Sequence, residues 1–311
     1  MDLRLVPYDH KYDDSIRELE QLVIQGKSIQ LEIIKDHFLS RSIVFEKYYP
    51  CVAVDERDTV LAIAVGAKTG IIVNGTFSDA GIGYDVKVHP RYRNKGIGRK
   101  MAKFIYKEFF ATQELSKSFI TLKAFNIPVI KLVSAVRPIW LYDFVYLTIP
   151  VKARVTKSNV TNGKKQLLSI TLFHTDPLSP SYYTTFKNGL GYFHTYKMYW
   201  LKIRHIHPFL KLGLGIMKKV QPRKYGDLPG EKTIFSFATL YNHNTQNVLY
   251  INEVLDELEK SGVNYLMVCC RKKDAIYNVL KEHSISTSSY YILSDFPLKK
   301  EDDVTIDVRC L

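Results

Sequence analysis

At 311 residues the chain is longer than a typical single domain and suits about two. With 46% hydrophobic and 24% charged residues, its composition is that of an ordinary globular protein with ample core. The net charge of +13 invites a nucleic-acid reading, but the cations are spread along the chain without zinc-ligand spacing, a ribonucleoprotein signature or an arginine-rich tail, so a polyanionic cofactor is the simpler account and a nucleic-acid partner is not expected.

Leu3 to Val6 alternates with arginine and predicts an opening strand. Asp13-Asp14-Ser15 precedes a helical pattern of Ile16, Leu19, Leu22 and Val23, with acids at the favourable end of the helix. A second helix is predicted from Leu31 to Leu39. Cys51 to Val54 and Val60 to Ala67 read as strands, and Asn74-Gly75 between two apolar runs is a hairpin signal. The sheet is therefore expected to be antiparallel up to a strand over Tyr84 to Val88, with Tyr84, Val86 and Val88 on one face and Asp85 and Lys87 on the other.

Pro90 ends that strand because it has no amide proton for the ladder. Gly96 and Gly98 follow, then Ile97, Met101, Phe104, Ile105 and Phe109 at the spacing of one helical stripe. The loop thus joins a strand to a helix N-terminus, whose free amides and macrodipole favour an anion. Glycines let the backbone approach it closely. Arg91, Arg93, Lys95, Arg99 and Lys100 crowd the same turn, and a diphosphate is the expected guest. The dinucleotide fingerprint fails, since Met101 stands where its third glycine belongs, and no Gly-Lys-Ser/Thr is present for a Walker loop.

Farther on, Phe119 to Leu122 is a predicted strand, Val129 to Val136 a helix, and Tyr142 to Ile149 a β-rich run. Two strands linked by a helix must lie parallel through a right-handed crossover, with ligand at their carboxyl ends. Val151 to Gln166 is polar and marks a boundary, giving units of 1–155 and 156–311. The element order then repeats: strands at Leu167 to Phe173, Thr233 to Tyr241, Tyr265 to Cys270 and Tyr290 to Leu293, with helices at Val248 to Leu258 and Ala275 to Leu280. The second turn, Asn242 to Asn247, has no glycine and no Lys or Arg, so it is not expected to hold a diphosphate.

Cys51, Cys269, Cys270 and Cys310 form no disulfide framework, which predicts a reducing compartment. Met1 to Arg4 carries two charges before any apolar run long enough for a signal peptide. The apolar segment Val129 to Pro150 is broken by Lys131, Arg137, Pro138 and Asp143, so it cannot cross a bilayer and no membrane partner is expected. A soluble intracellular protein is predicted, cytoplasmic or nuclear.

The Arg-x-x-Gly-x-Gly signature of Arg93, Gly96 and Gly98, following a Val-x-Val-His-Pro strand end, resembles the coenzyme A loop of the GNAT-type N-acetyltransferases. The resemblance implies an α/β fold with a mixed α+β sheet, built as a tandem whose second half is degenerate. Such a tandem resembles the plant hookless-type N-acetyltransferases and the vertebrate relatives that acetylate free histidine. It further implies that the backbone of Val86 and Val88 pairs with the pantetheine arm of acetyl-CoA, and that the amides of Asn94, Lys95, Gly96, Ile97, Gly98 and Arg99, with the cations Arg93 and Lys100 beside them, hold the diphosphate. Asn126 is a hydrogen-bond partner for the coenzyme or a helix cap. The expected reaction is acetyl transfer to an amine of a small molecule, amino acid or protein, with no metal. Asp85 and Tyr84 are the candidate catalytic residues, standing where the family often places a carboxylate base. Val133 occupies the position of the family's tyrosine acid, so either Tyr142 or Tyr146 reaches the sulfur, or the thiolate leaves without protein help, or the chain binds coenzyme A and catalyses poorly. The alternative is a coenzyme-A-binding regulatory protein with little turnover.

Overall fold

The computed structural model describes residues 3–155, 165–173, 180–226 and 228–311. The first half comprises β1 (Arg4–Pro7), α1 (Asp13–Leu22), β2 (Ile29–Ile34), β3 (Tyr48–Val54), β4 (Val60–Val73), β5 (Thr76–Val88), α2 (Ile97–Ile105), β6 (Ser118–Lys123), α3 (Ile127–Ser134) and β7 (Trp140–Pro150). After it come β8 (Leu168–Thr171), β9 (Tyr183–Thr185), β10 (Gly191–Phe193), β11 (Trp200–Ile206), α4 (Pro208–Val220) and α5 (Pro222–Tyr225). The chain continues through β12 (Ile234–Phe235), β13 (Phe237–Tyr241), α6 (Ile251–Lys260), β14 (Tyr265–Cys270), α7 (Ala275–Leu280), β15 (Ser286–Ser294) and β16 (Val304–Asp307). This is the expected mixed α/β class. The predicted boundary at residue 155 adjoins 156–164, which lie outside the described residues.

β1, β3, β4 and β5 pair antiparallel in turn, as expected. Asn74 (φ 50°) and Gly75 (φ 81°) both take positive φ between β4 and β5, as a tight hairpin whose twist matches its strands requires. β5 and β6 run parallel across α2. The helix predicted over Leu31 to Leu39 is not formed; β2 occupies its first part and a short 3-10 turn, Phe38–Arg41, its end. The alternation of Leu31 and Ile33 with Gln30, Glu32 and Ile34 served a strand, because β11 offers an antiparallel partner and Arg204 meets Glu32 across the pair. α4 spans a stretch for which the sequence reading had predicted no helix.

Among the described residues thirteen strands form one sheet, its main path running β1-β3-β4-β5-β6-β15-β7-β14-β13-β10-β9, while β12, β11 and β2 form a separate small sheet. β15, from near the end of the chain, lies between β6 and β7 and pairs antiparallel with both. β7 in turn pairs with β14, so each half completes its sheet with a strand from the other. The parallel pair β13 and β14, linked by α6, repeats the arrangement of β5, α2 and β6. One apolar cluster, including Ile63, Val65, Ile82, Tyr142, Phe144 and Ile292, runs between the halves; smaller ones lie under α2 and under α6. Among the described residues no helix is long and apolar enough to cross a membrane.

Candidate active site

β5 is interrupted opposite Ala64, where its register against β4 shifts. Asp85 there takes φ +50°, a left-handed conformation rarely adopted outside Gly, Asn and Asp. The extra residue breaks the simple alternation expected of this strand. Tyr84, Asp85 and Lys87 all turn toward the side of the sheet covered by α1, β2 and the turn after it, while Val88 packs toward α2.

On that covered side lies a buried charged cluster. Lys35 Nζ is 2.8 Å from Asp85 Oδ2 and 3.0 Å from Glu20 Oε1, and its side chain is only 2% exposed. Glu20 also pairs with Lys87, and Arg41 Nη1 stands 3.8 Å from Asp85 Oδ1. Burial alone would push the Asp85 carboxyl up, but Lys35, Lys87 and Arg41 outweigh it and hold it well below the usual carboxylate range. Tyr84 donates to Ser42 Oγ at 3.0 Å, and the Arg41 guanidinium lies 4.9 Å from the centre of its ring. Burial pushes its phenol up. Both candidate catalytic residues therefore have protein partners, and neither is poised as a base: one carboxylate is too acidic, one phenol too weakly acidic.

β5 and β6 are paired only at Gly81↔Ser118 and Ile82↔Phe119, and beyond Ile82 they diverge. A wedge opens at their carboxyl ends, bounded by Gly83 to Val88 on one side and Ile120 to Lys123 on the other. Val86 is 44% exposed. The Val88 carbonyl accepts from Arg93 Nε at 3.3 Å, so Arg93 folds back over the end of the strand.

From the wedge the chain passes through a 3-10 turn, Pro90–Tyr92, in which His89 Nδ1 accepts from the Arg91 amide at 3.2 Å. Asn94 (φ 61°) and Gly96 (φ 78°) then take left-handed conformations, and Gly96 is the N-cap of α2. None of the amides from Asn94 to Arg99 reaches an acceptor among the described residues. Arg91, Arg93, Lys95, Arg99 and Lys100 are exposed around them. The two glycines serve different ends. A Cβ on Gly96 would meet open space, whereas one on Gly98 would come within 2.5 Å of Leu132 Cδ1, so Gly98 lets α2 approach α3.

Asn126 is the N-cap of α3, yet its side chain makes no capping hydrogen bond and is exposed beside the wedge. Val133 lies on α3 as expected and offers no proton. Tyr142 is no substitute, because its hydroxyl donates to the carbonyls of Leu167 (2.7 Å) and Asp302 (2.9 Å). Tyr146 is buried with its ring 4.6 Å from that of Tyr290, and desolvation raises its pKa well above the ordinary range.

Sequence reasoning missed Glu20, Lys35 and Arg41. Each is a charged residue with no local signal of burial; only the placement of β2 against β11 brings Lys35 beneath β5. A second polar group lies nearby: His10, Asp13 and His37 have potential metal-ligating atoms within 4.8 Å of one another. His37 Nδ1 accepts from the Leu39 amide at 3.1 Å, which puts the proton of the neutral ring on Nε2, facing Asp13 Oδ2 at 3.3 Å. Tyr8 donates to the other Asp13 oxygen at 2.5 Å. These bonds make the group a proton-sharing network and leave no lone pair on His37 for an ion.

Residues 24–134 match the family described as "Acetyltransferase (GNAT) family". No curated protein matches the sequence at a significant level. Among solved structures, N-myristoyltransferase of Saccharomyces cerevisiae with bound myristoyl-CoA is 8% identical at a TM-score of 0.58, over 98% of this chain and 81% of that one. The glucosamine N-acetyltransferase region of a fungal multi-domain β-N-acetylglucosaminidase is 9% identical at 0.51, over 94% and 38%. Glucosamine-6-phosphate N-acetyltransferase of Arabidopsis thaliana is 18% identical at 0.32, over 43% and 91%. The likeness of fold, which extends over nearly the whole chain, gives this protein the GNAT acetyltransferase fold, and the family match over residues 24–134 marks it as an acyltransferase enzyme.

Proposed function

We propose that the protein transfers an acetyl group from acetyl-CoA to an amine of a small molecule, amino acid or protein, with one coenzyme site per chain. The observation that carries this is the row of unpartnered amides from Asn94 to Arg99 at the start of α2, next to the wedge between β5 and β6. The diphosphate lies against those amides with Arg93, Lys95, Arg99 and Lys100 around it, the pantetheine arm runs along Val86 and Val88, and Asn126 hydrogen-bonds to it. The amine nitrogen attacks the thioester carbonyl, the carbon-sulfur bond breaks, and the thiolate takes its proton from water, since Val133 has none to give. The amine arrives already deprotonated or loses its proton to water. Asp85 and Tyr84 act by positioning: Asp85 fixes Lys35 and Arg41 at the inner end of the wedge, and Tyr84 packs beneath them.

The second half completes the sheet through β14 and β15 and shapes the acceptor side, in the manner of a tandem of two such folds. Its turn at Asn242 to Asn247 carries none of the glycines or cations of the first. Isothermal calorimetry with acetyl-CoA tests the site: a stoichiometry near one is expected, abolished by Gly96→Glu, whose Cβ enters open space and disturbs no packing. No heat with the wild-type protein overturns the proposal.

A second reading, a coenzyme-A-binding regulator with little turnover, is favoured by Val133 and by the pairing of Asp85. Thiol release on a panel of amines separates the two. Sustained release above background hydrolysis excludes the regulator.

A further inference from the structure

α4 is an amphipathic helix whose outer face is left uncovered by the described residues. Phe209, Leu212, Ile216 and Val220 recur at intervals of three, four and four residues, so they share one stripe, and they are 82%, 67%, 54% and 67% exposed. No residue of this 13-residue helix is buried. Helices of this length are marginal in water by themselves, and Gly213 and Gly215 weaken this one further. Such a stripe calls for a covering surface.

The charge around the stripe says which kind. From Pro177 to Gly226 the sequence holds nine Lys or Arg residues and no Asp or Glu. On α4 itself Lys211 and Lys219 are exposed beside the stripe, and Lys218 is turned to the Leu228 carbonyl at 2.6 Å. The acids that do approach come from elsewhere in the chain, Glu231 toward Lys211 and His205, and Glu32 toward Arg204. A second copy of the chain would bring the same cations against this face. An apolar stripe flanked by lysines is the pattern of a helix lying in the interface of an anionic bilayer, side chains in the acyl boundary and ammonium groups among the headgroups.

We propose that α4 seats the protein on anionic phospholipid membranes as a peripheral, non-spanning anchor. The proposal does not depend on the catalytic reading, since α4 contributes no residue to the wedge or the coenzyme loop. It revises the expectation of no membrane partner, which rested on the absence of a spanning segment.

Co-sedimentation with vesicles tests it. The 311-residue chain is expected to bind 70:30 phosphatidylcholine:phosphatidylserine vesicles at low salt at least tenfold more tightly than pure phosphatidylcholine vesicles. Phe209→Glu with Ile216→Glu should reduce binding to the anionic vesicles at least tenfold, with the far-ultraviolet circular dichroism and thermal midpoint unchanged. Lys211→Gln with Lys219→Gln should weaken it about fivefold and flatten its salt dependence. Wild-type protein that stays in the supernatant overturns the proposal. So does binding that the Phe209/Ile216 variant retains in full, which would mean diffuse attraction by the basic surface alone. A wild-type dimer in sedimentation velocity that the same variant converts to monomer also overturns it, by assigning the stripe to a second copy.

Discussion

Asp85→Asn isolates the electrostatic role of the cluster beneath β5. Asparagine has nearly the shape of aspartate and tolerates the left-handed conformation this position takes (φ +50°), so the backbone bulge should survive. What disappears is one of two negative charges facing three positive ones, Lys35, Lys87 and Arg41. Breaking a buried ion pair by removing one partner costs about 3–5 kcal/mol, and because Glu20 still meets Lys35 at 3.0 Å the lower end, about 3 kcal/mol, is expected here. Urea denaturation at pH 7 should show that loss as a lower midpoint at unchanged slope. Lys35→Met with Asp85→Asn removes both charges and should recover much of it. The pH dependence carries a sign as well. A carboxyl whose folded pKa is depressed stabilises fully above its unfolded pKa near 4 and loses that contribution as the pH falls further, so the wild type should weaken below about pH 4 with a slope the Asp85→Asn variant lacks. A loss under 1 kcal/mol for Asp85→Asn, or a double variant no better than the single one, would refute the reasoning.

Gly96→Ala should cost about 1 kcal/mol from its φ of 78° and weaken acetyl-CoA binding about tenfold by calorimetry, because its Cβ meets only the space assigned to the coenzyme. Gly98→Val acts differently, wedging α2 from α3 at Leu132 for about 2 kcal/mol of stability, measured by thermal unfolding. His243 is buried with its pKa lowered to about 4, its ring placed to donate from Nε2 to the Cys269 carbonyl at 2.9 Å. Its folded pKa lies below the unfolded one, so it contributes stability above pH 6.5 that is lost as the pH falls toward 4, about 3 kcal/mol in full. His243→Asn should show a shallower decline of the urea midpoint between pH 6.5 and 4.5. Removing residues 156–311 takes away β15 and β14, exposing the free edges of β6 and β7, and should leave an aggregated first half in size-exclusion chromatography.

The strand, turn and helix start around Gly96 were legible because their structure is local. Pro90, Gly96 and Gly98 act within a few residues of one another, and the alternation before them and the helical stripe after them are periodic signals. The same holds for the Asn74-Gly75 hairpin. The bulge at Asp85 was not legible, since it is set by register against β4, and the face assigned to Tyr84 was wrong for that reason alone. β2 was misread as helix because a short apolar run fits either period until a partner strand is known. Lys35 and Arg41 could not have been chosen from the chain's 44 basic residues, as nothing near them in sequence marks them as buried. The roles of the two glycines could be separated only by what stands opposite each.

The exchange of β7 and β15 has a consequence for how the protein is made. The edge of β6 stays open until residues 286–294 arrive, some 160 residues later in the chain. A ribosome adding about 5–20 residues per second needs on the order of ten seconds to cover that interval. During it the proposed coenzyme loop has already emerged while the sheet that supports it is unfinished. Ligand binding by nascent chains should therefore appear only once β15 has left the exit tunnel, and a stalled or prematurely ended chain should be a client for chaperones that mask strand edges.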